Sequence, residues 1–461
     1  MKRVNPRVAL FLVLACGAAV RLLLMRVSTG ILSPDSDSFY RLAQAIVAGD
    51  WLTHDPFKTP LYSVFLAGFL AVAPTATSGA VAVGVQHLLG LIATAVFFAI
   101  ANKLFGLWVA VVSSLLFTTH ALLLFYETSV LSEVLFIVLL ALVLHQSARV
   151  LTERAPAWRF AAVGVFAGLA TLTRPVAEWF VVILVGQIVI GERASRRSLV
   201  AALTVGIAYT VTIAPWMFVN SRSYEFWGVG LGRGLGLFMR VFDVDKQPAM
   251  TGTAYPLVEQ AIAATNHGNA YAVRNQLNFR LGLSASETDD QMLGYALATV
   301  RARPVSFIRN SATNWMTQLL IVQEDIEVCR AREGPYLCNS RSTDMSTAMF
   351  PNVPPAGNRQ LKRRVTAWFT GGYVRMWVVV PLAFVGMGYD ALRRASASDP
   401  RAKRAGILLM AAIVYFSGVP ALINWPEERF RLPIDALLFM FACVGGQGVV
   451  GFLRNRFTVV P

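Results

Sequence analysis

The chain has few residues that bind metals or cross-link a fold. Among its 461 residues are four cysteines and five histidines. Four cysteines are too few for a disulfide framework, and His54, His87, His120, His145 and His267 lack metal-ligand spacing. No metal centre or other cofactor is therefore expected, with one opening left: His54 and Asp55 share a loop where a divalent cation could sit weakly. Charge is scarce too. Charged residues make up 15% of the chain against 56% hydrophobic, and the mean hydropathy is +0.55. That excludes a soluble domain of ordinary composition and leaves an integral membrane protein.

Apolar runs of about 20 residues, enough to cross a hydrocarbon core of roughly 30 Å as helices, recur along the sequence. About ten spans are predicted, starting near residues 8, 80, 107, 129, 160, 176, 198, 373, 404 and 433. The net charge of +15 does not point to nucleic acid, because the basic residues sit in short hinges between apolar runs rather than on one face. These hinges hold Lys2, Arg3 and Arg7; Lys103; Arg149, Arg154 and Arg159; Arg193, Arg196 and Arg197; and the late basic residues from Arg393 to Arg456. With ten alternating spans they share one side, which the positive-inside rule makes cytoplasmic, and both termini are inside. The opening MKRVNPRVALFLVLACGAAVRLLLM is built like a signal peptide, but Arg21 and Arg26 follow where a cleavage site should lie. A retained first span is expected.

The chain divides into an N-terminal transmembrane module over 1–219, an outer segment over 220–370 and C-terminal spans over 371–461. Within the first, an outer loop over 28–79 carries DSFYRLAQAIVAGDW and LYSVFLAGFLAV. Each reads as a short helix lying along the membrane, interrupted by Pro56 and Pro60. Residues 220–370 are the most polar stretch and predict an α-rich or irregular outer domain. In it, RARPVSFIRNSATNWMTQLLIV carries too many charges to cross and reads as interfacial. The topology puts Cys329 and Cys338 outside the cytoplasm, where an oxidising compartment lets them pair; such a bridge contributes about 2–3 kcal/mol. Two unpaired thiols are the alternative. Cys16 and Cys443 read as packing residues.

Polar residues in apolar surroundings gather on the outer side. Asp35 and Asp37 leave the first span in SPDSDSFYRLA, and Glu127 and Glu133 lie in FYETSVLSEVLF. Arg174 and Glu178 lie in GLATLTRPVAEW, and Arg429 and Arg431 in PEERFRLPID. That face has no nucleotide donor, so group transfer there would draw on a donor carried by a lipid. A carboxylate can act as general base toward a hydroxyl, and arginines can hold a phosphate leaving group by forked hydrogen bonds.

In order along the chain, PDSDSFYRLAQAIVAGDW, KTPLYSVFLAG, ETSVLSEVLF, GLATLTRP and ERFRLP resemble the outer turns of the GT-C membrane glycosyltransferases, which include protein O-mannosyltransferases and lipid A aminoarabinose transferases. The resemblance covers most of the chain outside residues 240–365. It implies an all-α bundle of about ten transmembrane helices with juxtamembrane helices, in a bacterial inner membrane, with a site facing the periplasm or cell exterior. It implies an inverting transfer from a polyprenyl-phosphate sugar to a cell-envelope glycan, lipid or protein. The family's loop aspartate falls on Asp35, with Asp37 in reserve, and the second acidic position on Glu133. Arg174, Arg429, Arg431 and Lys58 would bind the donor phosphate; Tyr62, Trp216 and Asn220 would line the substrate site. The chain departs from the family at Phe39, where tyrosine is common, and at Lys58 and Thr59, where larger relatives show Arg-Pro.

Plainer readings stand beside these. Asp35 could cap a helix, Glu127 reads as a solvated turn residue, Glu133 could be paired structurally with an arginine, and Arg174 could satisfy carbonyls at a helix end. Arg429 and Arg431 could be snorkelling anchors beside Glu427 and Glu428. The glycines of GVGLGRGLG, residues 228–236, read as a flexible loop, since they lack the setting of a phosphate loop. The rival function is a transporter or flippase of a lipid-linked saccharide, which would be expected to show repeat symmetry that this sequence lacks.

Overall fold

A computed structural model describes residues 5–26, 34–52, 54–72, 75–153, 155–191, 195–266, 268–320, 376–395, 400–424 and 426–457. Among them every regular element is helical. Cys329 and Cys338 lie outside the described residues, and Cys16 and Cys443 are free thiols.

Helix α1 (Pro6–Met25) starts where the Asn5 side chain accepts from the Arg7 amide, a cap that satisfies an otherwise orphaned donor. The segment after α1 supplies α2 (Pro34–Val47) and α3 (Leu61–Leu70), both helical as the sequence predicts. With ten residues, α3 reaches only about 15 Å and is too short to cross. The bundle continues through α4 (Thr75–Phe105), α5 (Leu107–Thr118), α6 (Ala121–Thr128), α7 (Glu133–Thr152), α8 (Ala157–Thr173), α9 (Phe180–Gly191) and α10 (Arg196–Tyr224). Gly106, at φ +93°, makes the tight break between α4 and α5 that an L side chain would resist.

Among the described residues, seven helices are long and apolar enough to cross a membrane, or eight with α5 and α6 counted as one span bent by 48°. The expected spans near residues 160 and 176 form shorter apolar helices, Ala157–Thr173 and Pro175–Ile190. Only with these two included does the number come to the predicted ten. The difference lies in the turn at Arg174–Pro175: a proline cannot continue α8, and the chain reverses before either segment reaches full length.

Residues after Tyr224 form α11 (Arg233–Met239), α12 (Pro256–Ala264), α13 (Ala270–Asn275), α14 (Ala285–Ala302) and α15 (Pro304–Leu320). The first four close around their own core of Phe238, Val258, Ile262, Leu277, Met292 and Tyr295. A reciprocal Ser284–Glu287 capping box starts α14. The glycine run expected as a loop over 228–236 is one only as far as Gly232. From Arg233 it is helical, because Asp289 accepts from the Leu235 amide and its backbone lies against Gly234 with no room for a Cβ.

The chain ends in α16 (Met376–Ala395), α17 (Pro400–Ile423) and α18 (Glu428–Phe457). Ideal Cβ atoms on Gly386 and Gly445 would stand 1.9 and 2.1 Å from carbonyls of the facing helix, so α16 and α18 touch backbone to backbone. Helix α7 is buried along most of its length and packs against α4, α8 and α17. Glu133 and Arg174 meet at one end of the bundle, and Lys103, Glu153 and Arg159 at the other.

Candidate active site

The site is built on the first turn of α2. Ser36 Oγ donates to the Val130 carbonyl at 2.9 Å, seating that turn on the connection between α6 and α7. Gln86 of α4 holds the connection from beneath: its amide nitrogen donates to the carbonyls of Glu127 at 2.9 Å and Ser129 at 2.7 Å. Its oxygen accepts from the Tyr62 hydroxyl at 2.6 Å. Tyr62 in turn packs edge-on against Phe39 of α2, ring centroids 4.9 Å apart. Each hydrogen bond replaces water that an apolar bundle cannot supply.

Asp35 stands in this frame, its side chain 45% exposed at the mouth. Lys58 Nζ lies 2.9 Å from Oδ1, and Arg429 Nη1 lies 3.4 Å from Oδ2. Lys58 also lies over the Phe39 ring at 5.2 Å, a cation–π contact that aims the ammonium. Its loop is tied down by Thr59 Oγ1 donating to the Thr173 carbonyl at 2.8 Å and by the Leu231 amide donating to the Pro56 carbonyl at 2.9 Å. Partial burial pushes the Asp35 carboxyl up, but Lys58, Arg429 and Arg174 together outweigh it and hold the group below the ordinary carboxylate value.

Behind Asp35 lies a second ion pair. Glu133, 4% exposed at the start of α7, meets Arg174 Nη1 at 2.6 Å. Arg429 Nε also lies 2.5 Å from Glu427, and buried Tyr126 lies within the field of Glu133, Glu427, Glu428 and Arg429. Four carboxylates and three cations thus share one end of an apolar bundle. Asp35, Lys58, Glu133, Arg174 and Arg429 lie together here.

Asp37 and Arg431 do not join them. Asp37 pairs with Arg41 on the exposed face of α2 at 2.8 Å. Arg431 is buried against Asp435 at 2.9 Å, and Asp435 meets His120 at 3.1 Å. Arg431 Nη1 also donates to the Gln318 and Leu319 carbonyls at the end of α15, so it caps a helix rather than opening to the site. The cause is the same in both cases. Asp35 and Asp37 are two residues apart on one helix, as are Arg429 and Arg431, and that spacing turns a side chain by about 200°.

Trp216 and Asn220 hold the surrounding loops. Trp216 Nε1 donates to the Val229 carbonyl at 3.0 Å, and Asn220 bridges the Gly228 carbonyl at 2.7 Å to His54 Nε2 at 2.9 Å. Asp55 accepts from the Phe57 amide at 3.0 Å. No group of three or more His, Cys, Asp or Glu among the described residues could hold a metal.

Glu127 is not the solvated turn residue that the sequence suggests. It is fully buried, 2.5 Å from Arg21 Nη2 and 2.8 Å from His87 Nδ1. Arg21 also donates to the carbonyls of Gly17 and Thr118. Gly90 makes the room: a Cβ there would stand 1.7 Å from Glu127 Oε1. Arg21 and His87, both inside apolar runs, were the signal, since ionisable groups at membrane depth take partners.

Residues 57–218, about a third of the chain and including Lys58, Glu133, Arg174 and Trp216, match the family described as dolichyl-phosphate-mannose-protein mannosyltransferase. The apo crystal structure of the Archaeoglobus fulgidus oligosaccharyltransferase superposes with a TM-score of 0.52 at 14% identity, over 99% of this chain and 52% of that one. The fold is of the GT-C type. The chain spans about half the length of that oligosaccharyltransferase. AglB from the same organism, in complex with an inhibitory peptide and a dolichol-phosphate, gives 0.46 at 13% identity over 97% of this chain and 51% of that one. ArnT from Cupriavidus metallidurans bound to undecaprenyl phosphate gives 0.38 at 15% identity over 94% and 77%. A search of curated proteins finds no match. The chain therefore resembles GT-C membrane glycosyltransferases in fold and, over its N-terminal part, in sequence.

Proposed function

We propose that this multi-pass membrane protein is an inverting glycosyltransferase that moves a sugar from a polyprenyl-phosphate donor to a cell-envelope glycan, lipid or protein. We place it in a bacterial inner membrane with Asp35 on the outer face, opposite the basic hinges. The observation that carries the reading is a carboxylate gripped by two cations at the mouth of an apolar bundle. The name of the matched family supports the donor class.

In this reading the Asp35 carboxylate accepts the proton of the acceptor hydroxyl. The oxygen attacks the anomeric carbon from the face opposite the phosphate, the carbon–oxygen bond to phosphate breaks, and polyprenyl phosphate leaves with the electron pair. Lys58 and Arg429 have a double task. In the free protein they hold Asp35 ionised; the donor phosphate, carrying more charge, draws them away. Asp35 then loses the interactions that depress its basicity at the moment a base is needed. Arg174, anchored by Glu133, supports the phosphate from behind. Charge on the leaving group is met by side chains, so the reading assigns no cofactor.

The test is purified protein incubated with polyprenyl-phosphate sugars and envelope acceptors. Free polyprenyl phosphate is expected in equal amount to glycosylated acceptor, with inverted anomeric configuration. A retained configuration, or a lipid-linked sugar moved across vesicles without bond cleavage, contradicts it; the second outcome is that of a transporter.

A further inference from the structure

The end of the bundle away from Asp35 holds a recess that glycosyl transfer does not use. It is a cavity of about 40 Å³ lined by Glu153, Arg197, Arg404, Leu151, Phe160 and Ile188, room for roughly three waters and so for a tetrahedral oxyanion. Glu153 is engaged by Lys103 at 2.5 Å, Arg159 at 2.8 Å and Arg149 at 3.3 Å. Three cations are thus paired with Glu153, while the two arginines that line the cavity, Arg197 and Arg404, take part in no ion pair among the described residues. Apart from Ser198, whose hydroxyl donates to the Ser195 carbonyl, the rest of its lining is apolar, and Ile190 and Leu199, close by on α9 and α10, are exposed. Trp158 is exposed with Arg159 over its ring at 5.4 Å, which sets this level at the boundary between hydrocarbon and headgroups.

We propose that this recess binds the phosphate of an anionic glycerophospholipid, with Arg197 and Arg404 on the phosphate oxygens and the acyl chains along α9 and α10. Basic hinges alone attract anionic lipid diffusely. A cavity with two unpaired guanidinium groups beside an apolar wall selects one molecule. A soluble phosphate ester offers the same anion but leaves Phe160, Ile188 and the exposed apolar flank without a partner, so the lipid is the occupant.

The experiment is native mass spectrometry of the full chain released from micelles, titrated with phosphatidylglycerol or phosphatidylcholine. One tightly held phosphatidylglycerol is expected, weakened about thirtyfold in the Arg197→Gln/Arg404→Gln variant, at about fivefold per cation. The Arg197→Lys/Arg404→Lys variant should retain most of it. Equal binding of the two lipids by the unaltered protein overturns the proposal even where the variants fold poorly. So does an unchanged affinity in the glutamine variant, or displacement of the lipid by equimolar glycerol phosphate, which identifies a soluble ligand. The Asp35→Asn variant should hold the lipid unchanged, so this result and that for glycosyl transfer are separate.

Discussion

At the scale of residues, the proposed mechanism makes one carboxylate depend on its neighbours. Burial pushes the Asp35 carboxyl up, and Lys58, Arg429 and Arg174 together outweigh it and hold the group below its ordinary value. As a lowered carboxylate it favours the folded state above its unfolded pKa, and that gain is lost as pH falls through the folded value. Being half exposed, the pair adds at most about 1 kcal/mol. The kinetic consequence is sharper. The acid limb of kcat/KM should lie below the usual carboxylate range, and Lys58→Met should move it to higher pH while raising the donor KM. A limb that stays in place would remove Lys58 from contact with the base. Residues of this kind were legible because charge is rare in an apolar chain: Glu133 and Arg174 lie at the ends of apolar runs, and Asp35 and Arg429 lie in short polar turns between them. Their neighbours Asp37 and Arg431 look equivalent in sequence and part only once α2 and α18 are known to be helical, for then one member of each pair must face away. Gln86 and Tyr126 were missed because neither carries a charge to stand out.

Elements carry the precision. Helix α2 is a short amphipathic piece whose position depends on the α6–α7 connection, and that connection depends on Gln86. Gln86→Leu leaves the Glu127 carbonyl and the Tyr62 hydroxyl without this partner, at about 1–3 kcal/mol each. Thermal unfolding in detergent should shift down accordingly, and kcat should fall with donor KM little changed, because Arg429 and Lys58 are held by other elements. A Gln86→Glu variant that recovers stability but not kcat would fit; unchanged kcat in the leucine variant would not. Most elements were legible in the sequence, α3 and α10 as apolar runs and α2 as an amphipathic one. Those that differed did so for tertiary reasons. Arg174–Pro175 shortens two spans, and α11 forms on a glycine run because Asp289 and the backbone of α14 lie against it.

For the whole molecule, the claim is two chemically distinct ends: a mixed acid–base mouth at Asp35, and a basic rim at Lys103, Arg197 and Arg404. Cysteines placed at the exposed positions 37 and 403 should be labelled by an impermeant thiol reagent from opposite sides of sealed vesicles, position 37 from outside. Labelling from the same side would dismantle the topology. The central claim, that Asp35 is the base, is tested most directly by the single-turnover rate of sugar transfer in Asp35→Asn with the lipid donor saturating. A fall of about 10²–10⁴ in rate with donor affinity kept is expected. Transfer at close to the unaltered rate would contradict it.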